Sequence, residues 1–353
     1  MKKKTILIFA LIFMLVSLVG CGQKTEDNEE KPFVGLTSYL YSDTHVANIR
    51  KAILAAAEDG PFVIESADSK ADNTTEANNY QVFLTKGAQY LITDKYDGNV
   101  QPVLDLCMQN DVGLVLYNTN QPNDEQADSY EPFYFVSSAA PESGRIQGQI
   151  ISEYWKTHPE ADKNGNGKID YVMLQGNLGL YDTEMRTKYS IEEIQNNGIE
   201  VNEIITVSCD FSRSIAQDQM ASIISARGDE IEVVIANNDD MALGAIESLK
   251  AAGYFTSEET YLPVVGVDAT AVGLDAVKDG TLLGTAFNDP FVIGNVAYQC
   301  VCWMYEGNTP ITQAMLDEKG FTKAKIDDHK RIWVSYDAVT TDNVDEYIEK
   351  YYK

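Results

Sequence analysis

The sequence predicts an α/β fold with doubly wound sheets, and two features of its pattern lead to that prediction. From residue 33 onward, short β-rich runs alternate with segments in which apolar residues recur at helical spacing. The β-rich runs are apolar at nearly every position, which is typical of parallel strands covered by helices on both faces. A single twisted sheet of about ten strands is uncommon, so we expect two smaller sheets, one in each of two lobes.

The first predicted strand is FVGLTS at residues 33–38, and it leads into a helix with Val46, Ile49 and Ile53 on one face. Predicted strands and helices then continue to alternate along the chain. The later predicted strands are QYLITD, VGLVLYN, YVMLQG, EIITVS, EVVIAN, PVVGVD and LLGTAF.

The longest polar connection, residues 119–132, lies near the end of the first series of strands and helices. We therefore place the first lobe at residues 33–136 and the second lobe at residues 137–287. The final helical segments predict that residues 288–333 return to the first lobe, which leaves residues 334–353 for the second lobe.

Residues 1–20 have the pattern of a secretory signal peptide. Three lysines precede an uncharged apolar run that is too short for a comfortable membrane span. The run ends in Leu-Val-Gly-Cys at residues 18–21, which resembles the lipobox of bacterial lipoproteins, where the cysteine is acylated and becomes the new N-terminus. We therefore expect an extracytoplasmic protein, anchored to the cell membrane by a lipid on Cys21, with residues 21–32 as a polar tether. The alternative is an ordinary signal peptide whose cleavage site happens to contain a cysteine.

The formal net charge is −27. This charge argues against nucleic acid or an anionic lipid surface as the main partner, because phosphate groups would repel the protein. The cysteines after Cys21 lie in apolar segments and predict buried thiols, and the three histidines form no close-spaced cluster that would indicate a zinc site. These cysteines are Cys107, Cys209, Cys300 and Cys302.

Polar residues follow most of the predicted strands, at the sheet edge where open parallel sheets bind their ligands. Any one of them could simply cap the next helix, since Asn and Asp are favoured N-caps. Collected at one edge, they would form a set of amides, carboxylates and a guanidinium suited to pairs of neighbouring hydroxyl groups. Phe211 adds a flat apolar face that could cover the C–H side of a pyranose. The polar residues are Asp43, Asn118, Asp182, Arg186, Asn238, Asp268 and Asn288.

The sequence contains no phosphate-binding loop, no dinucleotide-binding glycine motif and no nucleophile elbow. The residue types are compatible with a glycosidase-like pair of carboxylates. However, most strand-end groups are amides, or acids beside Arg186, which favours hydrogen bonding over acid–base chemistry. We therefore expect a binding protein and not an enzyme.

The segment DKNGNGKIDY, residues 162–171, has the oxygen spacing of the first part of a calcium-binding EF-hand loop, with Gly167 at the sixth position. Met173 stands at the twelfth position, where an EF-hand has glutamate, and the following IDYVML is typical of a strand. The segment is therefore either a turn without metal or a calcium site that is completed by a carboxylate from elsewhere.

Three segments, at residues 34–43, 236–251 and 266–289, resemble the periplasmic galactose/glucose-binding proteins. These are type I substrate-binding components of bacterial sugar ABC transporters. The resemblance extends from about residue 33 to the C-terminus and includes residues 162–171. It implies two Rossmann-like lobes, joined by three crossing segments, that close on one sugar.

At matching positions, the resemblance implies that the seven strand-end residues named above are the sugar ligands and that Phe211 stands where the family has a stacking tryptophan. His45 replaces a stacking phenylalanine on the other sugar face, and Leu180 replaces a histidine that hydrogen-bonds the sugar. The implied ligand is D-galactose or D-glucose. Because the ordinary histidine pKa is about 6.5, His45 also predicts that the affinity is sensitive to acid.

The resemblance also implies that a distant glutamate, Glu232 here, closes the calcium loop. Asn166 replaces a family aspartate and Asp170 replaces a glutamine, so the number of carboxylates is unchanged. The implied Ca²⁺ ligands are Asp162, Asn164, Asn166, the Lys168 main-chain carbonyl, Asp170 and Glu232.

The expected function is that of a monomeric, lipid-anchored sugar receptor that delivers its ligand to an ABC transporter permease. The alternative is a sugar sensor that presents its closed form to a membrane signalling partner such as a chemoreceptor or sensor kinase. A transcriptional regulator of this fold is excluded by the signal peptide and by the lack of a basic N-terminal DNA-binding unit.

Overall fold

The computed structural model describes residues 31–118 and 120–353. The predicted signal peptide and Cys21 lie outside the described residues. No helix in the described part of the chain is long and apolar enough to cross a membrane.

The first lobe begins with five strands and four helices in alternation. They are β1 (Phe33–Ser38), α1 (Thr44–Ala57), β2 (Val63–Asp68), α2 (Asn73–Thr85), β3 (Ala88–Thr93), α3 (Gln101–Asn110), β4 (Gly113–Tyr117), α4 (Asp124–Asp128) and β5 (Phe133–Ser138).

The second lobe repeats the alternation. It comprises α5 (Ala140–Thr157), β6 (Lys168–Gln175), α6 (Tyr181–Asn196), β7 (Glu200–Ser208), α7 (Arg213–Arg227), β8 (Val233–Ala236), α8 (Asp239–Ala251), β9 (Val264–Val267), α9 (Ala271–Lys278) and β10 (Gly284–Phe287).

The remainder of the chain contributes to both lobes. The first lobe receives α10 (Pro290–Tyr305), α11 (Gln313–Glu318), β11 (Ala324–Ile326) and β12 (Arg331–Val334), and the second receives β13 (Asp337–Thr340) and α12 (Val344–Tyr351).

Each lobe is built on one sheet, with strand order β11-β12-β5-β4-β3-β1-β2 in the first and β13-β10-β9-β8-β6-β7 in the second. All strand pairs are parallel except β11 with β12 and β10 with β13, which are antiparallel at one edge of each sheet. The two sheets with their covering helices confirm the predicted α/β fold of two doubly wound lobes.

Burial explains why the sequence pattern predicts β4 and not β2, but it does not explain why the prediction omits β5, all of whose residues are buried. Every residue of β4 is buried, so its sequence is a continuous apolar run. The edge strand β2 is mostly exposed or half-buried and carries polar residues, so it has no comparable run. The three last strands have only three or four residues each, too few to show a period.

Helix α10 packs against α1 and fills the core on one face of the first sheet. Gly294 permits the close approach of the two helices, because a Cβ at this position would lie 2.7 Å from the Ala52 Cβ. All four described cysteines are free thiols. Three of them are buried, and Cys302, on α10, is half-buried.

The chain crosses between the sheets three times: after Ser138, after Phe287, and between Val334 and Asp337. The first crossing thus lies two residues beyond the predicted boundary at residue 136. Tyr336 lies within the third crossing and is buried.

Candidate ligand site between the lobes

The carboxyl ends of strands from both sheets meet at one cavity, as expected for open parallel sheets. Eight of the nine residues predicted to contact a sugar line it. The lining residues are Tyr39, Asp43, His45, Val46, Tyr96, Asn118, Leu180, Asp182, Arg186, Phe211, Asn238 and Asp268.

Asp43 caps helix α1 and also lines the cavity. Its Oδ1 accepts the Val46 N–H at 2.9 Å and so caps α1, while its Oδ2 accepts the Tyr39 hydroxyl at 2.6 Å. Burial raises the pKa of Asp43, and the hydrogen bonds from Tyr39 and Val46 oppose that rise. The capping bond fixes the carboxylate at the cavity wall, and Tyr39 is a site residue that sequence reasoning missed.

Asn118 follows β4 in a left-handed conformation, with φ of 68°, which asparagine tolerates better than most residues. Its side-chain N–H donates to Asp94 Oδ2 at 3.2 Å. Asp94 is the last residue of the predicted strand QYLITD, and the lining residue Tyr96 lies two residues after it. Sequence analysis took the polar residues at the ends of most other strands as candidates, and the same step at this strand would have found both.

Arg186, on α6, lines the cavity from the second lobe and makes three described hydrogen bonds. It donates to Asp182 Oδ1 at 3.2 Å, to the Asn237 carbonyl at 2.8 Å and to the Tyr336 hydroxyl at 3.4 Å. Burial would lower its pKa, but Tyr336, Asp182 and Asp268 together raise it above the ordinary value. Its charge is therefore fixed, while burial raises the pKa of Asp182.

Phe211 projects its ring into the cavity from a left-handed backbone, with φ of 56°. Gly176 makes room for the ring, since a Cβ at that position would overlap it. Asn238 caps α8 by accepting the Met241 N–H at 2.9 Å, and its amide also donates to the Phe211 carbonyl at 3.4 Å. Leu180 adds a second apolar side chain to this wall.

Asn288 is the one predicted residue outside the lining set, but it is buried and contacts a residue within it. Its side-chain nitrogen donates to His45 Nε2 at 2.9 Å. Burial, followed by the charge of Arg186, lowers the pKa of His45 to about 3. His45 is therefore neutral, with Nε2 as acceptor, and its proton on Nδ1 faces Asp268.

Several buried polar atoms of this site have no hydrogen-bond partner among the described residues. They are Asp268 Oδ1, Asn288 Oδ1 and Arg186 Nε. An unsatisfied buried polar atom costs about 1–3 kcal/mol. Asp268 and Arg186 line the cavity together with Phe211, so an acceptor and a donor are available there to a small molecule that carries several hydroxyl groups.

The loop at residues 162–171 is closed by its own side chains before it enters β6. Asp162 accepts the Gly167 N–H at 2.9 Å and the Asn166 N–H at 3.1 Å. Asp170 accepts side-chain N–H groups from Asn164 at 2.7 Å and Asn166 at 2.8 Å. Strand β6 begins at Lys168, inside this segment, and includes the residues IDYVML that the pattern predicted to form a strand.

Two further residues hold this loop from outside. Glu232 is 1% exposed and accepts the Lys163 N–H at 2.8 Å and the Asp170 N–H at 3.0 Å. Asn202, on β7, donates to the second oxygen of Asp170. Burial would raise the pKa of Asp170, but the amide donors, Asn202 first, lower it. Sequence reasoning missed Asn202, which lies in a half-exposed strand with no motif.

The oxygens around this loop are of the types that calcium prefers: carboxylate, amide and main-chain carbonyl. Among the described residues, no group of three or more His, Cys, Asp or Glu side chains is placed to hold a metal ion. A calcium ion here would therefore depend on Asn164, Asn166 and the Lys168 carbonyl as well as on the carboxylates.

Comparison with known proteins gives a family match over most of the chain. The family model described as periplasmic binding protein domain matches residues 34–308. The chain is 32% identical over 300 residues to the D-galactose/methyl-galactoside binding periplasmic protein of Haemophilus influenzae, which covers 84% of this chain and 87% of the relative. It is 28% identical over 233 residues to the ribose import binding protein of Escherichia coli, covering 64% of this chain and 69% of the relative.

Solved structures show the same fold. A solute-binding protein of an ABC transporter from Bacillus halodurans, with bound myo-inositol, superposes with a TM-score of 0.72 at 23% identity and covers 91% of this chain and 98% of that one. A Mycobacterium smegmatis protein in complex with β-D-fucofuranose gives a TM-score of 0.75 at 19% identity, covering 90% of this chain and 94% of that one.

Proposed function

The chain belongs to the periplasmic binding protein family, and from that premise we propose that it captures D-galactose or D-glucose between its lobes and delivers the sugar to an ABC transporter permease. The observation that carries the proposal is the convergence of buried, unpartnered hydrogen-bonding atoms beside the ring of Phe211. The family consists of extracytoplasmic binding proteins and not of enzymes.

The choice of a hexose is supported by the Haemophilus relative, whose name specifies D-galactose and methyl-galactoside. Other relatives and structural neighbours are named for ribose, xylitol or myo-inositol. The sugar therefore has to be assigned from this chain's own side chains, and His45 and Leu180 are the positions where it departs from the galactose/glucose pattern.

The binding mechanism follows from the chemistry of the lining groups. Asp182, Asp268 and Asp43 can accept hydrogen bonds from sugar hydroxyls, and Arg186 can donate to them through its free Nε. Phe211 can cover the apolar C–H face of the ring. Because the ligands come from both lobes, a sugar that satisfies all of them favours the closed arrangement over an open one.

We further propose that Cys21 carries a lipid that holds the protein at the membrane. The signal-peptide pattern and the Leu-Val-Gly-Cys ending support this proposal. A Cys21→Ala variant should be released from the membrane fraction or remain unprocessed. Unchanged processing and unchanged membrane partition would contradict the anchor.

We also propose a structural calcium ion in the loop at residues 162–171. Asp162, Asp170 and Glu232 would supply the negative charge, and the Asn164, Asn166 and main-chain oxygens would complete the ligand set. Calcium there would neutralise the negative charges of these three carboxylates. Glu232 directly precedes β8, whereas the cavity residue Asn238 follows the other end of that strand.

Calorimetry with glucose, galactose, xylose and ribose, on protein refolded to remove any bound ligand, tests the sugar assignment. We expect one of the two hexoses to bind most tightly. Binding of ribose but neither hexose would overturn the assignment, and no binding of any of the four would count against the transport function.

A further inference from the structure

Asp239 is a buried carboxylate near the cavity, but it is not one of the residues that line the cavity. It is 0% exposed and stands at the first position of α8. Its Oδ2 accepts the Thr270 N–H at 2.7 Å and the Thr270 hydroxyl at 3.2 Å, and its Oδ1 accepts the Thr285 hydroxyl at 2.7 Å. One carboxylate therefore joins α8 to the loop after β9 and to β10.

The loop that Asp239 holds contains the site residue Asp268. Asp268 and Ala269 both have left-handed backbones, with φ of 112° and 52°, a conformation that costs free energy in residues other than glycine. Thr285, which donates to Asp239, in turn accepts the Ala269 N–H at 3.2 Å. Asp239 thus fixes Thr270 directly, and it fixes Ala269 through Thr285.

Two glycines leave space for the Asp239 side chain. A Cβ at Gly266, on β9, would overlap its Oδ1, and a Cβ at Gly273, on α9, would overlap its Oδ2. Neither glycine is required by a left-handed backbone, so both positions are explained by the carboxylate that fills the space between them. Tyr352 holds the same loop from the opposite side, since its hydroxyl donates to the Ala269 carbonyl at 3.1 Å.

We propose that Asp239 is a positioning residue for sugar binding, which holds the strained loop so that the Asp268 carboxylate faces the ligand. This role rests on the sugar-binding function proposed above. Asp239 itself does not contact the ligand. It affects the affinity by holding Asp268 in place. The Oδ1 atom of Asp268, which has no hydrogen-bond partner, is thereby preorganised to accept a sugar hydroxyl group.

The protonation state of Asp239 gives this role a measurable signature. Burial raises its pKa to about 7, against the hydrogen bonds from Thr285 and Thr270. The other titratable groups that face it are Asp240 on its own helix, Asp268 on the loop and Tyr352, which directly follows α12. A protonated carboxyl has one acceptor fewer for the two threonines, so the loop should be held less firmly below pH 7.

A double-mutant cycle tests whether Asp239 acts through Asp268. Asp239→Ala should weaken hexose binding at least tenfold in the wild-type background but less than twofold in an Asp268→Asn background. Equal losses in both backgrounds would overturn the proposal. Asp275→Asn, an exposed acid on α9, is the matched control and should leave the affinity unchanged.

The near-isosteric Asp239→Asn variant guards against loss of folding and adds the pH readout. Its affinity should be close to the wild-type value at pH 6 and should vary less than the wild-type affinity between pH 6 and 8. If the affinity of Asp239→Asn varied with pH as much as the wild-type affinity does, the positioning role of Asp239 would be contradicted.

A measurement without sugar separates this inference from the proposed function. In the ligand-free protein, amide hydrogen exchange of residues 266–272 should be faster in Asp239→Ala than in the wild type. If no sugar binds to the wild type, the proposed function fails, and the exchange experiment still decides whether Asp239 holds the loop. Unchanged exchange would overturn the positioning role.

Discussion

His45 and Asp268 face each other across the cleft, with His45 Nδ1 3.8 Å from Asp268 Oδ1. His45 belongs to α1 in the first lobe, and Asp268 follows β9 in the second. Their approach requires the lobes to be close together. A hydroxyl group placed between them would contact both lobes at once.

The neutral state of His45 changes the pH dependence expected from sequence. Its pKa of about 3 in the folded protein lies below the ordinary 6.5, so its share of the folding stability is present above pH 6.5 and is lost as the pH falls toward 3. Between pH 8 and 5, the sugar affinity should therefore not depend on His45 ionisation. Calorimetry on the wild type and on His45→Gln should give parallel pH profiles there.

A His45→Phe variant tests whether this position selects the sugar. Phenylalanine would restore an apolar stacking face but remove the acceptor for the Asn288 amide at 2.9 Å. We expect the ratio of galactose to glucose affinity to change. An unchanged ratio would show that His45 does not select between the two sugars.

Asp268→Ala and Arg186→Ala should each weaken hexose binding at least tenfold. Removing one partner of a buried hydrogen bond costs about 1–3 kcal/mol, and more when a charge is involved. Arg186 also holds Asp182 and the Tyr336 hydroxyl in the third crossing, so its loss should reduce the melting temperature as well. Isothermal titration and thermal unfolding measure the two effects, and affinities within twofold of the wild type would contradict the site.

Calcium removal should lower the melting temperature. An ion that binds only the folded state stabilises it by about 2.7 kcal/mol when free calcium is 100 times its Kd. Glu232→Gln should abolish most of the response to a chelator, whereas Glu230→Gln, an exposed neighbour paired with Arg227, should retain it. A wild-type melting curve that a chelator leaves unmoved would show that the loop is a turn without metal.

Breaking the buried ion pair of Lys95 and Glu76 should cost more folding free energy than breaking the exposed pair of Lys86 and Glu65. Lys95 and Glu76 are 6% and 1% exposed, and the Lys95 Nζ lies 2.5 Å from Glu76 Oε2. Glu76→Ala should cost about 3 kcal/mol, because it leaves a buried ammonium group with fewer partners. Glu65→Ala, which breaks an exposed pair with Lys86, should cost less than about 1 kcal/mol. Urea unfolding compares the two variants, and equal losses would contradict this reading of the buried pair.

Sequence reasoning located most of the cavity by two routes. Polar residues directly after buried parallel strands, such as Asn118 and Asp268, lie at the ligand edge, and the family resemblance added His45.

Neither route could find Tyr336, which lies on a crossing segment and reaches Arg186 only through the tertiary fold. Nor could they distinguish Asp239 from an ordinary acid in the first turn of a helix. Its role depends on contacts with Thr270 and Thr285, which are remote in sequence.

The two crossings near the C-terminus have a consequence for how the chain reaches its native state. Strand β12 pairs with β5 in the first sheet, and β13 pairs with β10 in the second. During synthesis, therefore, neither sheet can be completed until almost the whole polypeptide has emerged. A prematurely terminated chain would have two incomplete domains with open strand edges, which are targets for aggregation and proteolysis.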